Sequence, residues 1–167
     1  MVDQLKSLFI IFATMLLVSP ILTLFHELGH AIFILLFTDD DVDIVIGEAQ
    51  AKIGSLKLKR INICFNNIIT YYGMCYWGKI KQESNIKFKR IFISLGGPLA
   101  SAIIAGISLL MCYYTRGSFM NRIFNIITWS SLIQFFMTII PITYKSGSYK
   151  DTISDGKNIM NILKGKV

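Results

Sequence analysis

Residues 7–37 read SLFIIFATMLLVSPILTLFHELGHAIFILLF, an apolar run whose only ionisable side chains are His26, Glu27 and His30. As a helix rising 1.5 Å per residue, a run of this length extends about 46 Å, whereas the hydrocarbon of a bilayer is roughly 30 Å thick. The run is therefore read as a membrane span that tilts, protrudes or kinks at Pro20, where a helix hydrogen bond is lost. Leu8–Phe25 nearly fills the apolar layer, which places His26 toward the far end, near a surface that water reaches.

The chain has two histidines, and both fall in His26-Glu27-Leu28-Gly29-His30. Positions four apart share a helix face, so the two imidazoles can reach one metal ion while Glu27 projects beside them. An acidic group at mid-bilayer costs about 2.5–3.5 kcal/mol even on lenient insertion scales, so such a group calls for a functional partner. Neutral imidazoles with a carboxylate make a zinc set, and the expected cofactor is one zinc ion per chain. Glu27 is then the general base that takes a proton from the attacking water and passes it to the leaving nitrogen.

At 167 residues, 53% hydrophobic and 16% charged, the chain reads as one domain, 1–167, too apolar for a water-soluble fold of its size. Ile91–Tyr114 and Ile123–Tyr144 are also long enough to span. The expected fold is a mainly α membrane protein: a three-transmembrane-helix core (7–37, 91–114, 123–144), a small β-sheet insertion between the first two helices, and a short C-terminal helix. The first run lacks a short apolar core followed by a small-residue cleavage site, so it is read as retained.

Residues 43–77 carry the β signal. The alternating Lys57-Leu58-Lys59-Arg60-Ile61-Asn62-Ile63 and the β-favouring Ile68-Ile69-Thr70-Tyr71-Tyr72 suggest short strands, with Gly47, Gly54, Gly73 and Gly78 at turns or bulges. An exposed edge of such a sheet can pair with an extended peptide. Lys and Arg concentrate between Lys52 and Arg90 and in the C-terminal tail, which the positive-inside rule assigns to the cytoplasm, with the N-terminus outside. The net charge of +7 is accounted for by flanks beside anionic lipid, and no nucleic-acid partner is expected.

Cys64, Cys75 and Cys112 lack metal-ligand spacing and are expected as free thiols. The run Asp39, Asp40, Asp41, Asp43 reads as a solvated helix end rather than a calcium loop. In the second span Gly97, Ser101 and Ala105 recur every four residues, the small-residue spacing that lets helix backbones approach closely. With no third histidine, the remaining metal ligand is a carboxylate, a thiolate or water. Asp155, in the serine-capped turn Ser154-Asp155-Gly156 before the terminal helix, is the best-placed carboxylate after the last expected span. The ligand loop and terminal helix occupy about 145–165.

In order, His26-Glu27-Leu28-Gly29-His30, Gly97-Pro98 and Asp155-Gly156 resemble the motifs of the site-2 proteases, intramembrane zinc metalloproteases, over nearly the whole chain. The resemblance implies a three-helix core with a sheet between its first two helices, zinc held by His26, His30 and Asp155, Glu27 as catalytic base, and cleavage of membrane-embedded or membrane-proximal substrates. It departs from the family where Thr138 stands three residues before Pro141, a place often held by an asparagine that supports the oxyanion; Gln134, one turn earlier, is a second candidate donor. The link from Pro141 to Asp155 is also long and polar.

The expected function is hydrolysis of a peptide bond at the cytoplasmic face of a membrane, with a membrane protein or peptide as substrate and the bilayer as surroundings, as in a small processing enzyme of a bacterial cell membrane. Two alternatives are a membrane metal-binding or transport protein using the same ligands, and an inactive protease-like scaffold; the intact Glu27 argues against the second.

Overall fold

A computed structural model describes residues 2–48, 52–67, 70–78 and 85–166. Helix α1 (Val2–Phe37) leads into strands β1 (Val42–Ile46), β2 (Gly54–Leu58), β3 (Ile61–Phe65) and β4 (Gly73–Trp77). Helices α2 (Ile86–Tyr114), α3 (Phe119–Ile139) and α4 (Asp155–Leu163) complete the chain order.

The strands form one mixed sheet in the order β2-β3-β1-β4, with β1 parallel to β3 and antiparallel to β4. Central β1 alternates strictly: Val42, Ile44 and Ile46 are buried while Asp43 is exposed. Those three side chains meet Ala31 and Ile34 of α1 and Ile93 of α2, which seats the sheet on the end of α1 that carries the histidines. The alternating run Lys57–Ile63 does not make one strand. It is cut by a turn at Lys59 and Arg60, where Lys59 takes φ 52°, and β2 returns antiparallel as β3. In the run Ile68–Tyr72, Ile68 and Ile69 lie outside the described residues, and Thr70–Tyr72 precede β4 rather than forming a strand.

The expected three-transmembrane-helix core is corrected. Among the described residues there are four helices, and two stretches are long and apolar enough to cross a membrane, Ile11–Phe37 and Ile86–Tyr114. The third expected span, 123–144, fails at both ends. Its helix starts at Phe119 and takes in Asn121 and Arg122, and polar Asn125, Thr128, Ser130, Ser131, Gln134 and Thr138 recur along it. It stops at Ile139 because Pro141 drives the residue before it into extended backbone, and Ile140 has φ −67° and ψ 129°. Beyond Pro141 the chain makes a tight lap: Tyr144 N–H donates to Thr152 O at 2.9 Å and Ser154 N–H to Ile142 O at 3.0 Å, with Thr143 bridged to Ile153. The polar link is thus a hairpin, 142–154, that returns the chain to the end of α3.

Two glycines set how closely α1 and α2 cross. A Cβ at Gly29 would run into the carbonyl oxygen of Gly96 and come within 2.8 Å of the Ala100 side chain, and a Cβ at Gly96 would run into the carbonyl of Gly29. Gly96→Ala must push the helices apart and is expected to cost about 1–3 kcal/mol. The check is the unfolding midpoint in detergent; an unchanged midpoint would contradict so close a crossing.

Candidate metal centre

Three side chains from two distant parts of the chain converge. Nε2 of His26 lies 3.3 Å from Oδ2 of Asp155, Nε2 of His30 lies 3.5 Å from Oδ1 of Asp155, and the two Nε2 atoms are 3.3 Å apart. One ligand atom from each lies within 4.8 Å of the others, close enough to hold a metal ion. Both histidines are buried, and Asp155 is half-buried.

The chemistry of the donor set fits a cation. Nδ1 of His30 is 2.7 Å from the carbonyl oxygen of Ile93, which can only accept, so Nδ1 carries the proton and the neutral ring turns a bare Nε2 toward the cluster. Nδ1 of His26 is 3.0 Å from the buried Ser101 hydroxyl, which can accept its proton in the same way. Lone pairs of two imidazoles and a carboxylate thus face one small volume. Gly97 keeps that volume open: a Cβ there would overlap Nε2 of His30 and come within 2.5 Å of Nε2 of His26.

Asp155 is delivered by Ser154. This buried serine caps α4 by accepting from Lys157 N–H at 3.1 Å, accepts from Ile142 N–H at 3.1 Å, and donates to Ile140 O at 2.7 Å. Gly156, next in sequence, lets α4 rest directly on the Ile139 carbonyl. Asn158 Nδ2 donates to Ser94 Oγ at 2.9 Å, tying the same turn to α2. Burial alone would raise the Asp155 pKa; imidazolium charge on His30 and hydrogen bonds from both rings, present when protons rather than a metal fill the cluster, outweigh it and hold the carboxyl below the usual carboxylate range. Ser154→Ala removes a cap and strands buried backbone groups, and is expected to cost about 2–3 kcal/mol, read in thermal unfolding.

Glu27 is buried beside the cluster but is not one of its three metal-reaching residues. It lines a cavity of about 790 Å³ together with His26, His30 and Asp155. The start of β4 is pressed against it, and a Cβ at Gly73 would lie 3.0 Å from Glu27 Oε1. Thr138 and Gln134 also line the cavity. The Thr138 hydroxyl proton is engaged by the backbone carbonyls of Gln134 at 3.0 Å and Phe135 at 3.2 Å, so of the two the Gln134 amide is the freer donor.

Sequence reasoning names His26, Glu27, His30 and Asp155, and the structure brings all four to one cavity. It does not assign Ser101 to a histidine or Gly97 to the space between the histidines, although both fall on the four-residue stripe of small residues. Tyr149, which also lines the cavity, and Asn158 carry no local signal. The cysteines are free thiols; Cys75 lines the cavity, where burial foremost, with the nearby Glu27 charge, pushes its thiol pKa up and keeps it protonated. Among the described residues the run Asp39–Asp43 contributes to no metal-reaching group. Comparison with known proteins found no family model, no curated protein and no solved structure that matches this chain.

Proposed function

We propose that the chain is an integral membrane zinc metalloprotease similar to the site-2 proteases, cutting membrane-embedded or membrane-proximal polypeptides near the cytoplasmic surface. The observation that carries this reading is the convergent triad of buried His26 and His30 with half-buried Asp155, and a separate carboxylate, Glu27, in the same cavity. A metal held for structure alone needs no spare base. A hydrolytic site does.

In this reading His26, His30 and Asp155 would hold zinc, which when bound would supply the acidification of a water and the polarisation of a peptide carbonyl. Glu27 takes the proton of the attacking water and delivers it to the departing amine, a transfer its buried position on the cavity wall permits. Ser101 and the Ile93 carbonyl hold the imidazoles in the tautomer that leaves Nε2 free. Gln134 offers its amide to the oxygen that gains charge as the water attacks. The outward edge of β4, beside Glu27, receives the substrate backbone in extended form.

The transport alternative needs further polar ligands along the helices. Two of the buried hydroxyls of α2 and α3 are spent, Thr128 donating to Ser108 at 2.9 Å and Ser108 to Ile104 O at 2.7 Å, while the buried Ser131 hydroxyl stands alone among the described residues with no second ligand group beside it. The proteolytic reading is tested by incubating the detergent-purified, zinc-loaded chain with fluorescein-labelled β-casein. Cleavage that stops on chelation and returns with zinc is expected; intact casein with stoichiometric zinc bound counts against it.

A further inference from the structure

The outward edge of β4 is not empty. Gly47 N–H donates to Tyr72 O at 2.8 Å, so Tyr72 faces β1, and strand alternation turns the N–H and C=O groups of Gly73, Cys75 and Trp77 the other way. At Gly73, the pairing position next to Glu27, both groups are already engaged by one side chain. The Tyr149 hydroxyl accepts from Gly73 N–H at 2.9 Å and lies 3.2 Å from both Gly73 O and Tyr71 O. These are the groups that a paired peptide backbone would use.

Tyr149 sits in the hairpin 142–154 that also carries the chain to Asp155. Its ring packs on Tyr72 and Tyr144, at centroid distances of 4.8 and 5.4 Å. Burial foremost, and then the Glu27 charge, raise its pKa, so the hydroxyl stays a donor. The loop that presents it turns through Gly147 at φ 75° and Asp151 at φ 64°, and Lys145, Ser146 and Gly147 are exposed at the rim of the cavity. Among the described residues the hydrogen bonds from this loop to the sheet region all pass through the hydroxyl of this one residue, beside its ring packing on Tyr72, whereas the base of the loop is fixed by backbone pairing and by Ser154.

We propose that the hairpin 142–154 is a lid that closes the site on itself, with Tyr149 occupying the outward N–H and C=O of Gly73 until an extended peptide backbone displaces it. The inference rests on the reading of the site as one that takes peptide. It makes Tyr149 a residue that governs access and stands outside the chemical step, and it predicts that the resting protein binds peptide more weakly than its edge allows.

Tyr149→Phe keeps the ring packing and removes the hydroxyl. Two quantities are measured on the zinc-loaded full chain in detergent, in a Glu27→Gln background so that the probe is not cut: amide hydrogen exchange at Gly73, and the affinity for fluorescein-labelled β-casein by anisotropy. Loss of the hydroxyl is expected to speed Gly73 exchange and to tighten casein binding, each by about fivefold, the worth of one net hydrogen bond. Thr152→Val, which removes the 2.6 Å bond from Thr152 Oγ1 to Tyr149 O, shifts both in the same direction. Unchanged Gly73 exchange, or casein binding that does not tighten, overturns the lid. With Glu27 restored, tighter binding but no zinc-dependent cleavage in either form would leave the lid standing and remove the protease reading. A tenfold fall in kcat in Tyr149→Phe with KM unchanged would instead place the hydroxyl on the reacting carbonyl and overturn the lid.

Discussion

Glu27→Gln is expected to lower kcat for casein cleavage by about 10²- to 10⁴-fold, the usual worth of a general acid–base group, while leaving the zinc content unchanged. The separation of the two readouts comes from the geometry. Glu27 lines the cavity but is not among the residues that reach one metal ion, so an amide in its place removes a proton acceptor without removing a ligand. Gln also keeps the shape of the wall against Gly73, where the carboxylate oxygen lies within contact distance. Retained cleavage would remove Glu27 from the mechanism; cleavage and zinc lost together would make it a ligand.

Gly97→Ala is the second large effect, and it acts without altering any ligand. The new methyl would overlap Nε2 of His30 and sit 2.5 Å from Nε2 of His26, in the volume into which both lone pairs point. The surrounding atoms belong to two packed helices and cannot all recede, so zinc affinity is expected to fall by about 10- to 100-fold, as for other losses of support around a metal. Gly106→Ala on the same helix is the control, because a Cβ there meets nothing within 4 Å and zinc binding should stay at the wild-type level. Equal affinities in the two variants would mean that the metal does not sit beside Gly97.

The two effects draw on parts of the site that differ in how they are written in the sequence. His26, Glu27 and His30 are legible because helix geometry is local: a spacing of four fixes two imidazoles on one face whatever the rest of the chain does. Asp155 is legible by a longer route, through the lack of a third histidine and a capped acidic turn late in the chain. The supporting residues depend on which helix crosses which. Nothing local says that the Ser101 hydroxyl meets Nδ1 of His26, or that Gly29 and Gly96 bring α1 and α2 close enough for Gly97 to face both rings.

Hydropathy and alternation mislead at two places in the fold, each for a physical reason. The stretch 123–144 is rich in apolar residues, but its hydroxyl and amide side chains lower its hydropathy, and Pro141 ends the helix before the stretch does. The turn between β2 and β3 falls on Lys59 and Arg60, with no glycine, proline or asparagine to mark it, and the only trace of the chain reversal is that these two consecutive polar residues break the period-two alternation. The hairpin 142–154 reads only as a polar link because its pairing depends on Ser154 and on the bridge from Thr143 to Ile153, contacts invisible to hydropathy.

The central claim is a metal held by three side chains, and it is tested most directly by elemental mass spectrometry of the detergent-purified chain beside His26→Ala and Asp155→Ala. The account predicts about one zinc per chain in the wild type, lost or much weakened in both variants. Stoichiometric zinc that survives Asp155→Ala would contradict it, since the carboxylate 3.3 Å from His26 would then not be a ligand.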